Sequence, residues 1–435
     1  MLAAAIHGRP APLVSLGSRA PLLYGLFFFM SSSFRYPALS QKLLPAGILS
    51  VLMLLEFGGG LPWRRQPRLL AVLLGLLFVA GTVSFLCHAD QADSQVAYLA
   101  AFLSPFVTFT ACRALAVPPR LLRNAFLALS LGLIVPLLGG VWQFYRAFGI
   151  PDLTTLVLAR FDTDRMEAYQ SITFGNVNNT AALVMLVLPP LLALAIDRET
   201  HKGMRLWFAL CALAAAANLL IVFSRAAFLV VPLFVLPILY VYRRRALGAV
   251  LIAAVVLVPV AWMHRGSVTS ALWWDYMHSA FYPQMQSDNS VNERLDSIGE
   301  GLTVIREHPL VGVGPGRSYH YITYDTAHQM SVQQGVETGI LGLAAISALT
   351  VAVAWEMIKA ATGRTVGAMN RQRFLCLIGP FAYLTYGALA NAPLTIGPVN
   401  IWITNVAAML ALADSTAEGQ LHRPPPTTGQ GRGET

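Results

Sequence analysis

The sequence predicts an all-α, polytopic integral membrane protein of about twelve transmembrane helices, with a helical cap outside the membrane between spans 9 and 10. Three observations lead there. Of the 435 residues, 56% are hydrophobic and 12% charged, and the mean hydropathy is +0.59; a soluble globular chain carries about 25% charged residues. Apolar runs of about 18 or more residues recur, each long enough to cross a hydrocarbon layer as a helix. Between them, Lys and Arg concentrate in alternate short connections, as the positive-inside rule requires.

Taken in order, Arg9 and Arg19 precede the first apolar run, and no small-residue cleavage site follows it. That run is therefore expected to persist as an uncleaved helix. Spans are predicted near residues 20–36, 43–58, 69–87, 95–115, 124–145, 177–196, 206–223, 226–242 and 246–263, then 331–357, 374–391 and 397–413. With both termini inside, the cytoplasmic connections hold Arg64, Arg65, Arg68, Arg120, Arg123, Arg198, Lys202, Arg205, Arg243, Arg244, Arg245, Lys359, Arg364, Arg371 and Arg373. Residues 1–263 thus form spans 1–9 with a smaller outer loop near 148–176. Residues 264–330 form the cap, 331–413 the last three spans, and 414–435 a polar, Pro-rich tail expected to be disordered.

The formal charge of +9 does not point to nucleic acid. Loop arginines account for it through topology, and no basic–aromatic stripe suited to a nucleic-acid strand is present. Cys87, Cys112, Cys211 and Cys376 lie far apart in apolar segments. They read as packed small hydrophobes rather than metal ligands or disulfide partners. No metal and no other cofactor is expected.

The stretch from Val291 to Leu343 stands out as polar, basic and Gly-punctuated, with three of the nine histidines. Leu295, Ile298, Leu302 and Ile305 repeat at helical spacing and predict one apolar stripe. His308-Pro309 stops that helix, the glycines of VGVGPG permit a tight turn, and a new helix is predicted to start near Ser331. Upstream, WWDYMHSAFYP from Trp273 to Pro283 reads as an interfacial aromatic anchor.

Arg294-x-x-x-Ile298, the run Ile305-Arg306-Glu307-His308-Pro309-Leu310-Val311-Gly312-Val313-Gly314-Pro315-Gly316, and His328 followed by Glu337-Thr338-Gly339-Ile340-Leu341-Gly342 occur in this order. Together they resemble the signature of the bacterial O-antigen ligase/polymerase superfamily. FGNVNNTAALVMLVLPP, from Phe174 to Pro190, resembles a conserved helix start of that family, and Ser224-Arg225 its Ser/Thr-Arg pair at an outer helix end. Val177 stands where the family has Pro, and Gln329 where it often has Asn. The resemblance covers roughly Gly175 to Gly342; the first half matches in hydropathy only.

The resemblance implies transfer of a glycan from undecaprenyl diphosphate to an acceptor hydroxyl on the periplasmic side of a bacterial inner membrane. For a ligase the acceptor is the lipid A–core oligosaccharide. The sugar C1–diphosphate bond is already activated, so the chemistry needs a base for the acceptor and positive charge for the departing diphosphate. No DxD or paired chelating carboxylates stand in the outer loops, and Asp162-Thr163-Asp164 reads as a solvated loop. Arginines then supply the charge, because a guanidinium fork binds phosphate bidentately and stays protonated.

Arg225, between two apolar spans, and Arg294 are the leading pair; a charge in such a place is functional by default. Snorkelling to headgroups is the alternative reading for Arg225, and an interfacial cation that for Arg294. Arg160, Arg165, Arg306 and Arg317 are further substrate-binding candidates, with Asn178 and His320. His328 is the candidate general base, since an imidazole titrating near neutrality can take a hydroxyl proton; a backbone-bonded structural histidine is the alternative. Glu337 is expected to orient the site. One base and no carboxylate nucleophile imply metal-independent direct displacement with inversion.

A polymerase of the same superfamily would use the same chemistry on another carrier-linked acceptor. A lipid-linked glycan transporter or flippase would instead place charges at mid-membrane depth on broken helices. Here most charges lie at span ends or in the cap.

Overall fold

The computed structural model describes residues 69–88, 106, 109, 119–149, 177–222, 224, 226–242, 289–324, 326–363, 368–390, 406–407 and 409–413. Its elements are α1 (Leu69–Cys87), α2 (Pro119–Phe148), α3 (Val177–Ile196), α4 (Lys202–Val222), α5 (Ala226–Tyr242), α6 (Asn289–Glu307), a 3₁₀ turn (Ser318–His320), α7 (Met330–Thr362) and α8 (Ala368–Leu389). No strand occurs among the described residues. Among the described residues, five helices are long and apolar enough to cross a membrane, namely Leu69–Cys87, Leu122–Phe148, Asn178–Ile196, Lys202–Val222 and Met330–Thr362; Ala226–Tyr242 is a shorter apolar helix. These coincide with predicted spans. Predicted spans 20–36, 43–58 and 246–263 lie outside the described residues, as does most of 95–115 and half of 397–413.

The burial pattern inverts that of a soluble bundle. On α1 the exposed residues are Leu69, Val72, Leu76, Val79, Val83 and Leu86, a helical stripe of large apolar side chains. Comparable residues face outward from α4 (Leu206, Leu210, Leu213), α5 (Leu229, Leu233, Leu236) and α7 (Val351, Trp355, Ile358). Water would make such stripes costly, whereas hydrocarbon does not. The interior is built around α3, buried continuously from Thr180 to Leu191 and packed on α4 and α8. α7 packs on α1 and α8. Cys211 and Cys376 are buried as expected, but Cys87 is exposed at the end of α1, where the outward stripe turns it away from the core.

Pro190 in α3 removes the N–H that would pair with the Leu186 carbonyl. Gly379 of α8 fills that gap: a Cβ there would overlap the Leu186 oxygen. Gly379→Ala is expected to separate α3 from α8 at the centre of the bundle, at about 1–3 kcal/mol for overpacking. A lower thermal unfolding midpoint in detergent checks this.

Charge divides the bundle into two ends. At one, Arg123 of α2 contacts Asp197 (3.4 Å) and Glu199 (3.0 Å) after α3, and Arg371 of α8 approaches Glu199 (3.7 Å). Arg373 pairs with Glu356, and Lys359 with the same carboxylate at 3.2 Å. These are basic residues that the sequence assigns to one side of the membrane. The pairs through Glu199 and Lys359 are open to solvent, and such pairs contribute only about 0–1 kcal/mol each. The other end carries the candidate site.

Candidate functional site

α6 lies against the first part of α7, and the contact is made by small residues. A Cβ on Gly301 would fall 2.7 Å from Val332 Cγ1, and one on Gly335 2.6 Å from Ile305 Cδ1. Each helix therefore seats a branched side chain over the other's glycine. The buried face of α6 is Ser297, Gly301, Val304 and Ile305, with Ile298 at its edge. This corrects the predicted stripe, because Leu295 and Leu302 are 62% and 47% exposed. Apolar periodicity alone could not anticipate a helix contact built on glycine. Arg294 is seven residues before Gly301, two helical turns along the same stripe, and so lies on the side of α6 that meets α7.

α7 is broken inside its first third. Gly339 has φ 73° and ψ −169°, a backbone state reached almost only by glycine. In an unbroken helix the Ile340 N–H would donate to Val336 and that of Leu341 to Glu337. Instead Ile340 N–H donates to the Pro309 carbonyl (2.8 Å). The two released carbonyls accept from the glycine-rich turn, Val313 N–H to Val336 at 2.9 Å and Gly314 N–H to Glu337 at 3.2 Å. The Ser84 hydroxyl of α1 also donates to the Glu337 carbonyl (2.7 Å). The HPLVGVGPG and ETGILG segments are thus two sides of one splice, in which a loop completes the hydrogen bonding of a broken helix.

The half-helix before the break, Met330 to Gly339, is buried at every residue, and the outward apolar residues of α7 begin at Ile340. The 23 residues from 340 to 362 suffice to cross roughly 30 Å of hydrocarbon. One end of the half-helix is tied to α8, since the Gln329 side-chain amide donates to the Ala388 carbonyl (3.3 Å). The other is tied to α1 through Ser84. It bridges the ends of those two helices.

His328 immediately precedes this half-helix. Its φ is +49°, the sole positive value at a non-glycine among the described residues. Histidine tolerates that region better than most side chains, but it remains uncommon and clusters at functional sites. Gln329 caps α7, its side-chain oxygen accepting from Val332 N–H at 2.6 Å, as a shorter Asn would. Glu337 is fully buried, and its carboxylate accepts from the Gln333 amide at 2.6 Å.

The remaining predicted residues distribute as follows. Asn178 lies in the first turn of α3, where its carbonyl accepts from Tyr386 of α8 (3.4 Å). The Tyr386 hydroxyl also meets Ser224 at 3.4 Å. Ser224 is buried, and its carbonyl accepts from Phe228 N–H, so it opens α5. This brings the starts of α3 and α5 to the end of α8, near Gln329. Arg317 flanks the splice, its Cδ 3.1 Å from where a Gly314 Cβ would stand. Arg306 is exposed, and His320 is exposed and rests on Tyr319 at 4.0 Å between ring centres. Arg225, Arg160 and Arg165 lie outside the described residues.

Four participants escaped sequence reasoning: Ser84, His88, Gln333 and Tyr386. His88 N^δ1–H donates to the Ser84 carbonyl (2.8 Å), and its ring lies against Gly314. Ser84, Gln333 and Tyr386 sit in segments that read as ordinary span or helix start, and His88 in the short turn after a span, so hydropathy gave no signal. The polar pair Gln333-Gln334 inside an apolar run was the one available hint.

Among the described residues, outward apolar stripes and five helices long and apolar enough to cross a membrane give the chain the character of a polytopic helical membrane protein. Residues 209–347 match a family model described as O-antigen ligase. That match, over about a third of the chain, supports membership of the O-antigen ligase/polymerase superfamily. The matched stretch spans Ser224, α6, the splice and His328. A comparison with curated proteins finds no match.

Proposed function

We propose that the protein is an O-antigen ligase. It moves O-antigen polysaccharide from undecaprenyl diphosphate to a hydroxyl of the lipid A–core oligosaccharide, at the periplasmic face of the bacterial inner membrane. The observation that carries the reading is His328, held in a left-handed backbone at the start of the buried half-helix within the O-antigen ligase family match.

In this reading the His328 imidazole takes the acceptor hydroxyl proton as that oxygen attacks the anomeric carbon. The new C1–O bond forms as the C1–O bond to diphosphate breaks on the opposite face, so the anomeric configuration inverts. The leaving diphosphate carries its charge onto the guanidinium groups of Arg225 and Arg294. Arg160, Arg165, Arg306, Arg317 and His320 steer phosphates and core sugars towards the site, Asn178 contributes at the start of α3, and Glu337 orients the site.

The test is purified protein in nanodiscs, given undecaprenyl-diphosphate-linked glycan and rough lipopolysaccharide, with and without EDTA. A ladder on the lipopolysaccharide that persists in EDTA supports a metal-independent ligase. Lengthening of the carrier-linked chain alone would make the protein a polymerase, and loss of transfer in EDTA would contradict the assignment of leaving-group charge to arginine. In the same assay Arg225→Lys is expected to fall nearly as far as Arg225→Ala, because a point charge does not replace a bidentate fork. Wild-type turnover in the lysine variant would remove Arg225 from the site.

A further inference from the structure

We infer that Gln333 is a positioning residue for His328, fixing the backbone of the candidate base by gripping the N–H of the residue before it. This rests on the reading of His328 given above. Gln333 sits one turn into the half-helix and is buried. Its side-chain oxygen accepts at 2.9 Å from the backbone N–H of Ala327, the residue immediately before His328. Its amide nitrogen donates twice, to the Ser318 hydroxyl at 2.7 Å and to the Glu337 carboxylate at 2.6 Å.

These three bonds leave the amide one orientation. The Ala327 N–H can only donate, so the amide oxygen must face it and the NH₂ side faces Glu337 and Ser318. Glu337 and Ser318 are themselves fully buried, so a reversed amide would leave buried groups unsatisfied. On the far side of His328, Gln329 is fixed by its cap to Val332 N–H and its bond to Ala388. The left-handed residue is thus held on both flanks by glutamine side chains, one anchored to a buried carboxylate and one to α8. A strained backbone persists when its surroundings over-determine it, and this pair supplies that. The loop before His328 is further tied to α6, where Glu300 accepts from both the backbone and the hydroxyl of Thr323 at 2.8 Å. Glu337 therefore acts on the base through Gln333.

The experiment uses the full chain in nanodiscs and compares wild type with Gln333→Met, a near-isostere that makes none of the three bonds. Two readouts are taken: amide hydrogen exchange over residues 318–329, and steady-state transfer per folded molecule. Exchange in that segment is expected to rise by about tenfold or more, since each lost bond corresponds to roughly 0.5–1.5 kcal/mol of local opening. kcat is expected to fall by about tenfold to a hundredfold, the scale of a small misplacement of a reacting group, with the donor KM within about twofold. A purely structural role would lower the folded fraction and leave kcat per folded molecule unchanged.

Unaltered exchange over 318–329 overturns the grip, whatever the activity. Faster exchange with wild-type kcat overturns the positioning role. If wild-type protein transfers no glycan, the functional reading fails by itself and exchange still decides the grip. Should Gln333→Met not fold, Ser318→Ala removes a single bond from the same amide and is expected to raise exchange by about twofold to tenfold; no change in that variant counts against the proposal.

Discussion

Replacing His328 with alanine is expected to lower glycan transfer by about 10²–10⁴-fold, the usual worth of a positioned general base, while the lipid-linked donor still binds. The loss should fall on kcat, because the base acts on the acceptor hydroxyl as it attacks and contributes little to holding the carrier. Alanine also meets the strained φ of +49°, so one variant could confuse chemistry with backbone. His328→Asn separates the two. Asparagine tolerates the left-handed region but offers no base, and it is expected to be as inactive as alanine. Binding of a labelled donor, measured alongside turnover, checks both. Substantial transfer by His328→Asn would remove this residue from the base role.

The splice between the glycine-rich turn and α7 supports the second large effect. Gly339→Ala would force a side chain into a glycine-only backbone state, and its Cβ would lie 2.7 Å from the Pro309 carbonyl oxygen and 2.5 Å from the Leu310 carbonyl carbon. Gly312→Ala meets backbone as well, with φ +66° and a Cβ 2.6 Å from Thr338 N. Strain of about 1–3 kcal/mol and overpacking of about 1–3 kcal/mol add to about 2–6 kcal/mol per site. That is a large share of a typical folding free energy of about 5–15 kcal/mol. Neither neighbour is a flexible side chain that could yield. Both variants are expected to lose folded protein or, if they fold, to lose transfer because Glu337 is displaced. Gly299→Ala is the control: that glycine is exposed in α6 with nothing within 4 Å of its Cβ, and alanine there should be neutral or stabilising by up to about 1 kcal/mol. Yields and unfolding midpoints of the three variants side by side decide the matter.

Long apolar runs made much of the fold legible. α1 and α3 lie where hydropathy places them, at Leu69–Cys87 and Val177–Ile196, and α7 starts one residue before the predicted Ser331. α2 reaches further at both ends, from Pro119 to Phe148, because its terminal turns carry Arg123 and Arg146 and fall below an apolar threshold while remaining helical. The break in α7 was hidden for a related reason. Apolar spacing continues through Glu337-Thr338-Gly339-Ile340-Leu341-Gly342, and the departure lies in the backbone angles of one glycine. The family signature marked the segments that meet in the splice, yet it could not tell that two of them hydrogen-bond to each other, or that Gln333 links Glu337 to the backbone N–H of Ala327. Those links depend on which carbonyls the break releases, which becomes visible once α6, the turn and α7 are placed together.

The proposed reaction turns on where the diphosphate and the anomeric carbon sit. Cryo-electron microscopy of the protein in nanodiscs, with an unreactive analogue of the undecaprenyl-diphosphate glycan, measures that directly. The expected result places the diphosphate oxygens within hydrogen-bonding distance of Arg225 and Arg294, with the anomeric carbon between them and His328. Diphosphate density remote from these side chains, or a divalent ion coordinating it in their place, would rule out the arginine pair as the leaving-group site.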